Sequence, residues 1–368
     1  MRILHVYKDY YPVLGGIENH LRWLARAQAA RGHQVTVLVT NPAGAKTTEQ
    51  EEEGVRVIRA ARLATVASTP LSLALPLQLA RQSPDIVHLH FPYPLGEVAQ
   101  WLLHRGQATI MTYHSDVVRQ QGILKLYTPL LRHILGSIDR ILPTSEPYIH
   151  SSSFLQPLAG RCTALPLGID VARFMQPHPH AGAVRSRYQG PLLLFVGRLR
   201  YYKGLNYLIT AMKEIAATLL IVGSGPETAS LGEEAYLQGV ADRVRFLGEV
   251  SDELLPAYYQ AADLFVLPSS QRSEAFGIVL IEAMAAGLPL ISTELGTGTS
   301  WVNQHGVTGL VVPAADAAAL TGAINRLLAN PDLRQRMAAA GRARAQTEFA
   351  LSRLVDRTLA LYAETLSA

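Results

Sequence analysis

Short apolar runs alternate with amphipathic stretches along most of the chain. Residues 3–7, 35–40, 55–60, 86–90, 109–113, 140–144 and 163–165 read as buried strands. Residues 17–30, 97–104 and 124–135 carry apolar positions at helical spacing. Such alternation predicts a parallel sheet with helices on both faces, and ligands of such sheets bind at the carboxyl ends of the strands. The pattern breaks after Leu167, where Pro166, Gly168, Pro177, Pro179 and Gly190 mark an irregular stretch. It restarts with strands at 192–196, 218–222, 244–247, 264–267, 290–292 and 310–312, and long Ala/Arg/Leu helices follow from about Ala315. The expected organisation is α/β in two halves: residues 1–167, a linker at 168–190, a second domain at 191–349, and a last helix, about 350–368, packing back on the first domain.

Residues 269–290 are the most informative stretch. An apolar run closed by Pro268 leads through a loop holding Ser273, Glu274, Phe276 and Gly277 into a helix expected from about Gly277 to Ala286. Gly287 and Pro289 stop it. Glu274 stands before this helix, at an end whose free N–H groups and dipole suit an anion. Glu282 lies about 7 Å along the axis at 1.5 Å per residue, among Val279, Leu280, Ile281, Ala283, Met284 and Ala285. A carboxylate on so apolar a helix either sits at a solvated edge or is held by hydroxyls or cations.

The length, 368 residues, suits two cores better than one. With 49% hydrophobic and 17% charged residues the chain is globular rather than disordered. A single cysteine, Cys162, excludes an intramolecular disulfide framework and reads as a packed residue. The first residues lack the apolar core of a signal peptide. The uncharged segment 63–80 contains Pro70, Pro76 and Gln78, which disfavours a membrane span. Net charge is +5 over residues 1–165 and −1 over 166–368. That asymmetry reads either as solvated surface or as attraction to anionic lipid or an anionic acceptor. Dense basic runs with interleaved aromatics are absent, so nucleic acid is a poor partner. Lys125, Arg132, His133 and Arg140 lie among apolar residues of one helix, a pattern open to membrane docking or to plain packing.

Each half carries a glycine loop just past its first strand: Gly15-Gly16 in one, Gly197 to Gly204 in the other. Neither matches GxGxxG or the P-loop pattern. In the second loop Arg198 and Lys203 precede a helix start, an arrangement able to clamp a diphosphate without metal. No Asp, Glu or His cluster has metal-ligand spacing. His88 and His90 share one face of a strand and read as structural or site-lining. His114 ends the fifth strand.

Taken together, these residues resemble the retaining family-4 glycosyltransferases of the GT-B architecture over nearly the whole chain. Ser273-Glu274-Ala275-Phe276-Gly277 through Glu282 resembles the family's E-x7-E motif. Gly15-Gly16, Val196-Gly197-Arg198 to Lys203-Gly204, Val222 to Pro226 and Leu165 to Asp170 follow in the family's order. Tyr113 to Gln120 and Leu295 to Ser300 resemble a bacterial polysaccharide branch of the O-antigen type, with mannosyltransferases that use GDP-mannose.

The resemblance implies two Rossmann-like parallel-sheet domains facing a central cleft, acceptor domain first and donor domain second. Arg198 and Lys203 would hold the donor diphosphate, and Glu282 the ribose hydroxyls. Glu274 would bind the transferred sugar, with backbone groups near Phe276, Gly277 and Ile278. Gly16 would let its loop approach the phosphates, and residues 248–255 would line the nucleobase. His114 would sit by the sugar, with Asp9, Tyr10 and Asp116 toward the acceptor. Where many relatives carry a glutamate, this chain has Ser300 and Trp301.

The implied reaction is hexose transfer from a nucleotide diphosphate sugar to a glycan or lipid-linked hydroxyl. Anomeric configuration would be retained and no metal cofactor needed. No carboxylate stands out as a nucleophile, so front-side attack is expected. The expected location is cytoplasmic, peripheral on the inner membrane face. The alternatives are a UDP-sugar-dependent glucosyl- or N-acetylglucosaminyltransferase, an epimerase or phosphorylase of the same architecture, and a non-catalytic sugar-nucleotide-binding subunit.

Overall fold

The structure is a computed structural model. It describes residues 1–13, 15–66, 69–116 and 121–367, with residues 121–126 as backbone only. The chain divides into two compact units, one of Met1–Gly168 with Leu351–Ala368 and one of Ile169–Ala350.

In unit 1 the strands are β1 (Arg2–Val6), β2 (Gln34–Thr40), β3 (Thr48–Glu52), β4 (Val55–Ala60), β5 (Ala64–Val66), β6 (Thr69–Leu71), β7 (Ile86–Phe91), β8 (Ala108–Tyr113) and β9 (Arg140–Pro143). Seven of them form one sheet in the order β3-β4-β2-β1-β7-β8-β9, while β5 and β6 pair separately. All neighbours in the larger sheet are parallel except β3 and β4. Helices α1 (Gly16–Ala30), α2 (Ala74–Ala80), α3 (Pro94–Leu103), α4 (Gln121–Ser137) and α5 (Glu146–Ser151) connect them. Every residue of β7 is buried, as expected of a central strand covered on both faces.

Unit 2 holds β10 (Leu192–Val196), β11 (Thr218–Val222), β12 (Val244–Gly248), β13 (Leu264–Leu267), β14 (Leu290–Glu294) and β15 (Gly309–Pro313). They pair in parallel in the order β12-β11-β10-β13-β14-β15. Its helices are α6 (Val171–Met175), α7 (Ala181–Arg185), α8 (Leu205–Ala211), α9 (Thr228–Leu237), α10 (Leu255–Ala261), α11 (Ile278–Ala286), α12 (Thr299–Val302), α13 (Ala317–Leu328) and α14 (Pro331–Glu348). The last helix, α15 (Leu351–Ser367), belongs to unit 1. It buries Leu354, Val355, Thr358, Leu361 and Tyr362, one apolar stripe at helical spacing.

Two expectations need correction, and one strand carried no signal in the sequence. Residues 163–165 form no strand; two backbone bonds, Thr163 N–H to Ile141 and Leu165 N–H to Pro143, tie them to β9, and Pro166 has no N–H with which to extend the ladder. The stretch 168–190 is not a free linker. From Ile169 on it is part of unit 2, with Phe174 and Val184 buried. There the Gln260 side-chain amide donates to the carbonyls of Phe174 and Gln176 at 2.9 and 2.7 Å. Strand β3 has no apolar signal because it is an exposed edge. Glu49–Arg56 and Glu52–Arg59 pairs at 2.6 and 2.7 Å link it diagonally to β4, and its charged side chains protect the edge.

Gly204 joins the loop after β10 to α8 with φ 66°, and a Cβ there would lie 2.1 Å from the Pro268 carbonyl oxygen. Gly204→Ala should therefore destabilise unit 2 by about 1–3 kcal/mol. A denaturation midpoint equal to wild type would contradict this packing.

Candidate active site

The strand order of unit 2 reverses at β10, whose neighbours are β11 on one side and β13 on the other. Loops leaving two such strands diverge and open a crevice at their carboxyl ends. The loop after β10 carries Lys203 and the loop after β13 carries Glu274. That is why two residues far apart in sequence meet here: Lys203 Nζ donates to Glu274 Oε2 at 2.5 Å. Both side chains are only 10% exposed. Ser269 Oγ donates to the same oxygen at 3.1 Å, and Thr297 Oγ1 donates to the Glu274 carbonyl at 2.8 Å. Burial pulls the Lys203 pKa down, but the Glu274 carboxylate outweighs it and holds the ammonium above its ordinary range.

Gly277, at φ 76°, lets the chain turn from this loop into α11. The N–H groups of Phe276, Gly277 and Ile278 find no acceptor among the described residues. Glu282 is buried on α11 and accepts from Tyr259 OH at 2.6 Å. Of the two readings open to it, the hydroxyl-held one is correct. Burial pushes its pKa up to about 7, against the opposing hydrogen bond from Tyr259 and the Arg173 charge. Arg198 is exposed and makes no ion pair among the described residues. At the carboxyl end of β14, Glu294 accepts from Ser300 Oγ at 3.0 Å and from the Gly296 N–H at 2.8 Å. Ser300, in the first turn of α12, thus orders the carboxylate that ends β14.

In unit 1 the strand order reverses at β1, between β2 and β7. Five histidines cluster beside it: His5 on β1, His88 and His90 on β7, His114 just past β8, and His20 on α1. All five are buried. His5 and His90 are bonded at 3.1 Å (Nδ1 to Nε2), and His90 and His114 at 3.1 Å (Nδ1 to Nε2). His5 Nε2 meets Gln28 Oε1 at 2.7 Å, and His88 bridges Tyr362 OH and Thr112 Oγ1. Both nitrogens of His20 and Nδ1 of His114 have no partner among the described residues. Burial lowers the pKa of His5 to about 4 and of His20 to about 3, and drives His88, His90 and His114 well below the ordinary range. The rings are therefore neutral, the form that ligates metals. One nitrogen each of His5, His88 and His90, or of His20, His90 and His114, lie within 4.8 Å of one another. Sequence spacing showed only His88 and His90; His5 and His20 join them through topology.

The other expected residues are placed as follows. Asp9 pairs with Arg62. Tyr10 is buried and its pKa is pushed up to about 12. Asp116 accepts from Tyr113 OH and Ser152 Oγ at 2.8 and 2.7 Å, so its contacts hold the β8 loop. Space around Gly16 is open; in the glycine pair it is Gly15 whose Cβ would strike Glu18, at 2.2 Å. Burial raises the Cys162 thiol to about 11, which disfavours a nucleophile. Residues 117–120 and the side chain of Lys125 lie outside the described residues. No described helix is long and apolar enough to cross a membrane.

Each unit thus places buried polar groups at the strand-order reversal of its sheet, where open α/β sheets bind ligands, and sequence comparison supplies the class: sugar-transferring enzymes. Residues 14–173 match the family model "Glycosyltransferase Family 4", and residues 183–344 match "Glycosyl transferases group 1". The chain is 36% identical to O-antigen chain mannosyltransferase C of Escherichia coli over all of both chains. It is 37% identical to D-rhamnosyltransferase WbpZ of Pseudomonas aeruginosa, covering 95% of this chain and 92% of that one. A GDP-mannose-dependent phosphatidylinositol monomannoside mannosyltransferase of Mycobacterium tuberculosis is 31% identical, with 93% and 92% covered. Among solved structures, sucrose-phosphate synthase from Thermosynechococcus elongatus superposes with a TM-score of 0.82 at 26% identity, covering 99% of each chain. An Anabaena protein solved with UDP superposes at 0.77 and 20% identity over all of both chains, a likeness of fold alone. The chain belongs to glycosyltransferase family 4, with the GT-B fold.

Linkage fixes the sign of the acid response. His20 has a folded pKa of about 3 against an ordinary 6.5. Its contribution to stability is full above 6.5 and is lost as pH falls toward 3. Glu282 has the opposite sign: its share is full below its ordinary 4.5 and is lost as pH rises through 7. His20→Phe should flatten the loss of stability between pH 6.5 and 4.5 by about 1.4 kcal/mol per pH unit. Parallel pH curves for the two proteins would contradict a neutral, buried His20.

Proposed function

We propose that the chain is a retaining mannosyltransferase that moves mannose from GDP-mannose to a hydroxyl of a glycan or lipid-linked acceptor. The setting would be cell-surface polysaccharide or glycolipid synthesis, on the cytoplasmic face of the membrane. The observation that carries this reading is the buried Lys203–Glu274 pair at the carboxyl ends of β10 and β13. Beside it α11 starts with unoccupied N–H groups. A diphosphate finds there a cation and a positive helix end, and a sugar finds a carboxylate already oriented. The donor sugar is supported by the relatives at 36% and 31% identity, both mannosyltransferases.

In this reading Lys203 and the exposed Arg198 hold the diphosphate, Glu274 orients the sugar, and Glu282 receives ribose hydroxyls. His114 contacts a hydroxyl of the sugar. The bond from the anomeric carbon to the phosphate oxygen breaks, and the acceptor oxygen bonds to that carbon on the same face. The acceptor proton passes to the departing phosphate oxygen. Negative charge gathers on the leaving diphosphate, and a preorganised cation stabilises it most where water is excluded.

Lys203→Ala should lower turnover of GDP-mannose with an alkyl mannoside acceptor by on the order of 10²- to 10³-fold. Arg198→Ala should lower it with an unchanged melting temperature, since that exposed side chain makes no ion pair among the described residues. Near-normal turnover in both variants would overturn the clamp. Glu282→Ala should weaken GDP binding about tenfold in calorimetric titration; unchanged affinity would remove Glu282 from the ribose site. EDTA should leave the rate unchanged, and its full loss would refute metal independence.

A further inference from the structure

The histidine cluster of unit 1 contains a directed chain of hydrogen bonds, and its direction can be worked out residue by residue. A neutral imidazole has one N–H and one bare nitrogen, so each ring donates once and accepts once. The Gln28 carbonyl oxygen only accepts, at 2.7 Å from His5 Nε2. The His5 proton therefore sits on Nε2, which leaves His5 Nδ1 an acceptor. His90 Nε2, 3.1 Å away, must then be the donor. That leaves His90 Nδ1 an acceptor, and His114 Nε2, 3.1 Å away, donates to it. The proton of His114 is thus committed to Nε2, and its Nδ1 is a bare lone pair, buried and without a partner among the described residues.

The other arm closes consistently. The Gln28 amide N–H donates to Tyr362 OH at 3.3 Å. Tyr362 then spends its own proton on His88 Nδ1. His88 Nε2–H donates to Thr112 Oγ1 at 2.7 Å. One amide, fully buried on α1 and clasped by a tyrosine of α15, thus sets the tautomers of four rings. Nothing else in either arm has a fixed polarity, because imidazoles and hydroxyls serve in both senses.

We infer that Gln28, His5 and His90 are positioning residues that fix His114 as the Nε2–H tautomer, so that its Nδ1 receives a hydrogen bond from a substrate hydroxyl. The substrate part rests on the proposed role of His114 in sugar transfer; the tautomer part does not. The chemistry selects the ligand atom: a lone pair accepts from a sugar hydroxyl and repels a phosphate oxygen. A buried acceptor left unmade costs free energy that a hydroxyl donor recovers, so the contact favours a correctly seated sugar. His114 takes no proton in this role. A metal centre at the same rings would require a bare nitrogen of His90, whose Nε2 carries its own proton and whose Nδ1 already accepts from His114.

The test is long-range ¹⁵N–¹H correlation of histidine rings in the full-length protein, with assignments from single His→Gln variants. In wild type His5, His90 and His114 should all show the Nε2–H pattern. Gln28→Leu removes the fixed acceptor, and the three rings should become tautomer mixtures while the far-ultraviolet circular dichroism is kept. Gln28→Glu, whose carboxylate also only accepts, should restore the wild-type pattern at all three. With GDP-mannose as donor, Gln28→Leu should lower kcat on the order of tenfold with less change in KM, the scale seen when an orienting partner is removed from a functional imidazole. Gln28→Glu should recover most of that loss. A proton on His114 Nδ1 in wild type, or a Gln28→Leu spectrum identical to wild type, would overturn the inference even if Gln28→Leu fails to fold for the first of these readings. Joint movement of the His20, His90 and His114 signals on adding Zn²⁺ would replace it with a metal centre. A normal tautomer pattern with a fully active His114→Gln variant would spare the directed chain and sink the role of His114 in transfer.

Discussion

The buried ion pair of Lys203 and Glu274 is the constraint on which unit 2 depends. Taking two charges out of water costs several kcal/mol each, and the cost is offset only when the pair is close and its remaining hydrogen-bonding capacity is used. Here the separation is 2.5 Å, and Ser269 and Thr297 hold the Glu274 side chain and backbone. Thr293 in turn donates to the Ser269 carbonyl. The loops after β10, β13 and β14 are therefore organised around one carboxylate. Removing a single partner would strand the other charge at a cost of about 3–5 kcal/mol. A site maintained against that cost is available to a ligand with charges and hydroxyls of its own.

Unit 1 solves a related problem without charge. Five imidazoles are packed beside the same kind of strand-order reversal, where burial holds them neutral. Neutral rings need donors and acceptors in matched order, and the Gln28 amide supplies a fixed starting point. His20 stands apart, its two nitrogens without a partner among the described residues, and its ring lies edge-on to His114 with centroids 5.4 Å apart. Both units thus place desolvated polar groups at the carboxyl ends of central parallel strands. In one the groups are ionised and paired; in the other they are uncharged and chained.

Much of this was legible in the sequence. The apolar runs at 192–196, 218–222 and 264–267 became strands with the same limits. Gly287 ends α11 in the left-handed conformation expected of a stop. Lys203 and Glu274 were visible as candidates, because a cation before one helix and a carboxylate before another are local signals. Their contact was not, since it depends on β10 and β13 being neighbours, a fact of topology. Tyr259 beneath Glu282 and Gln28 beneath His5 were missed for the same reason: each looks like ordinary helix content until the fold sets it against its partner. The edge strand β3 was missed because an exposed strand of Thr, Glu and Gln carries no apolar period. Residues 168–190 read as a linker because prolines break the period, yet Phe174 and Val184 anchor them in a core.

The central claim is that the Lys203–Glu274 crevice receives the nucleotide sugar. Hydrogen–deuterium exchange of the full chain with and without saturating GDP-mannose measures this most directly. Protection should rise in the segments spanning residues 197–204 and 269–282, where the loops after β10 and β13 and the first turn of α11 meet the donor. Binding of GDP-mannose that leaves exchange in both segments unchanged would contradict the account.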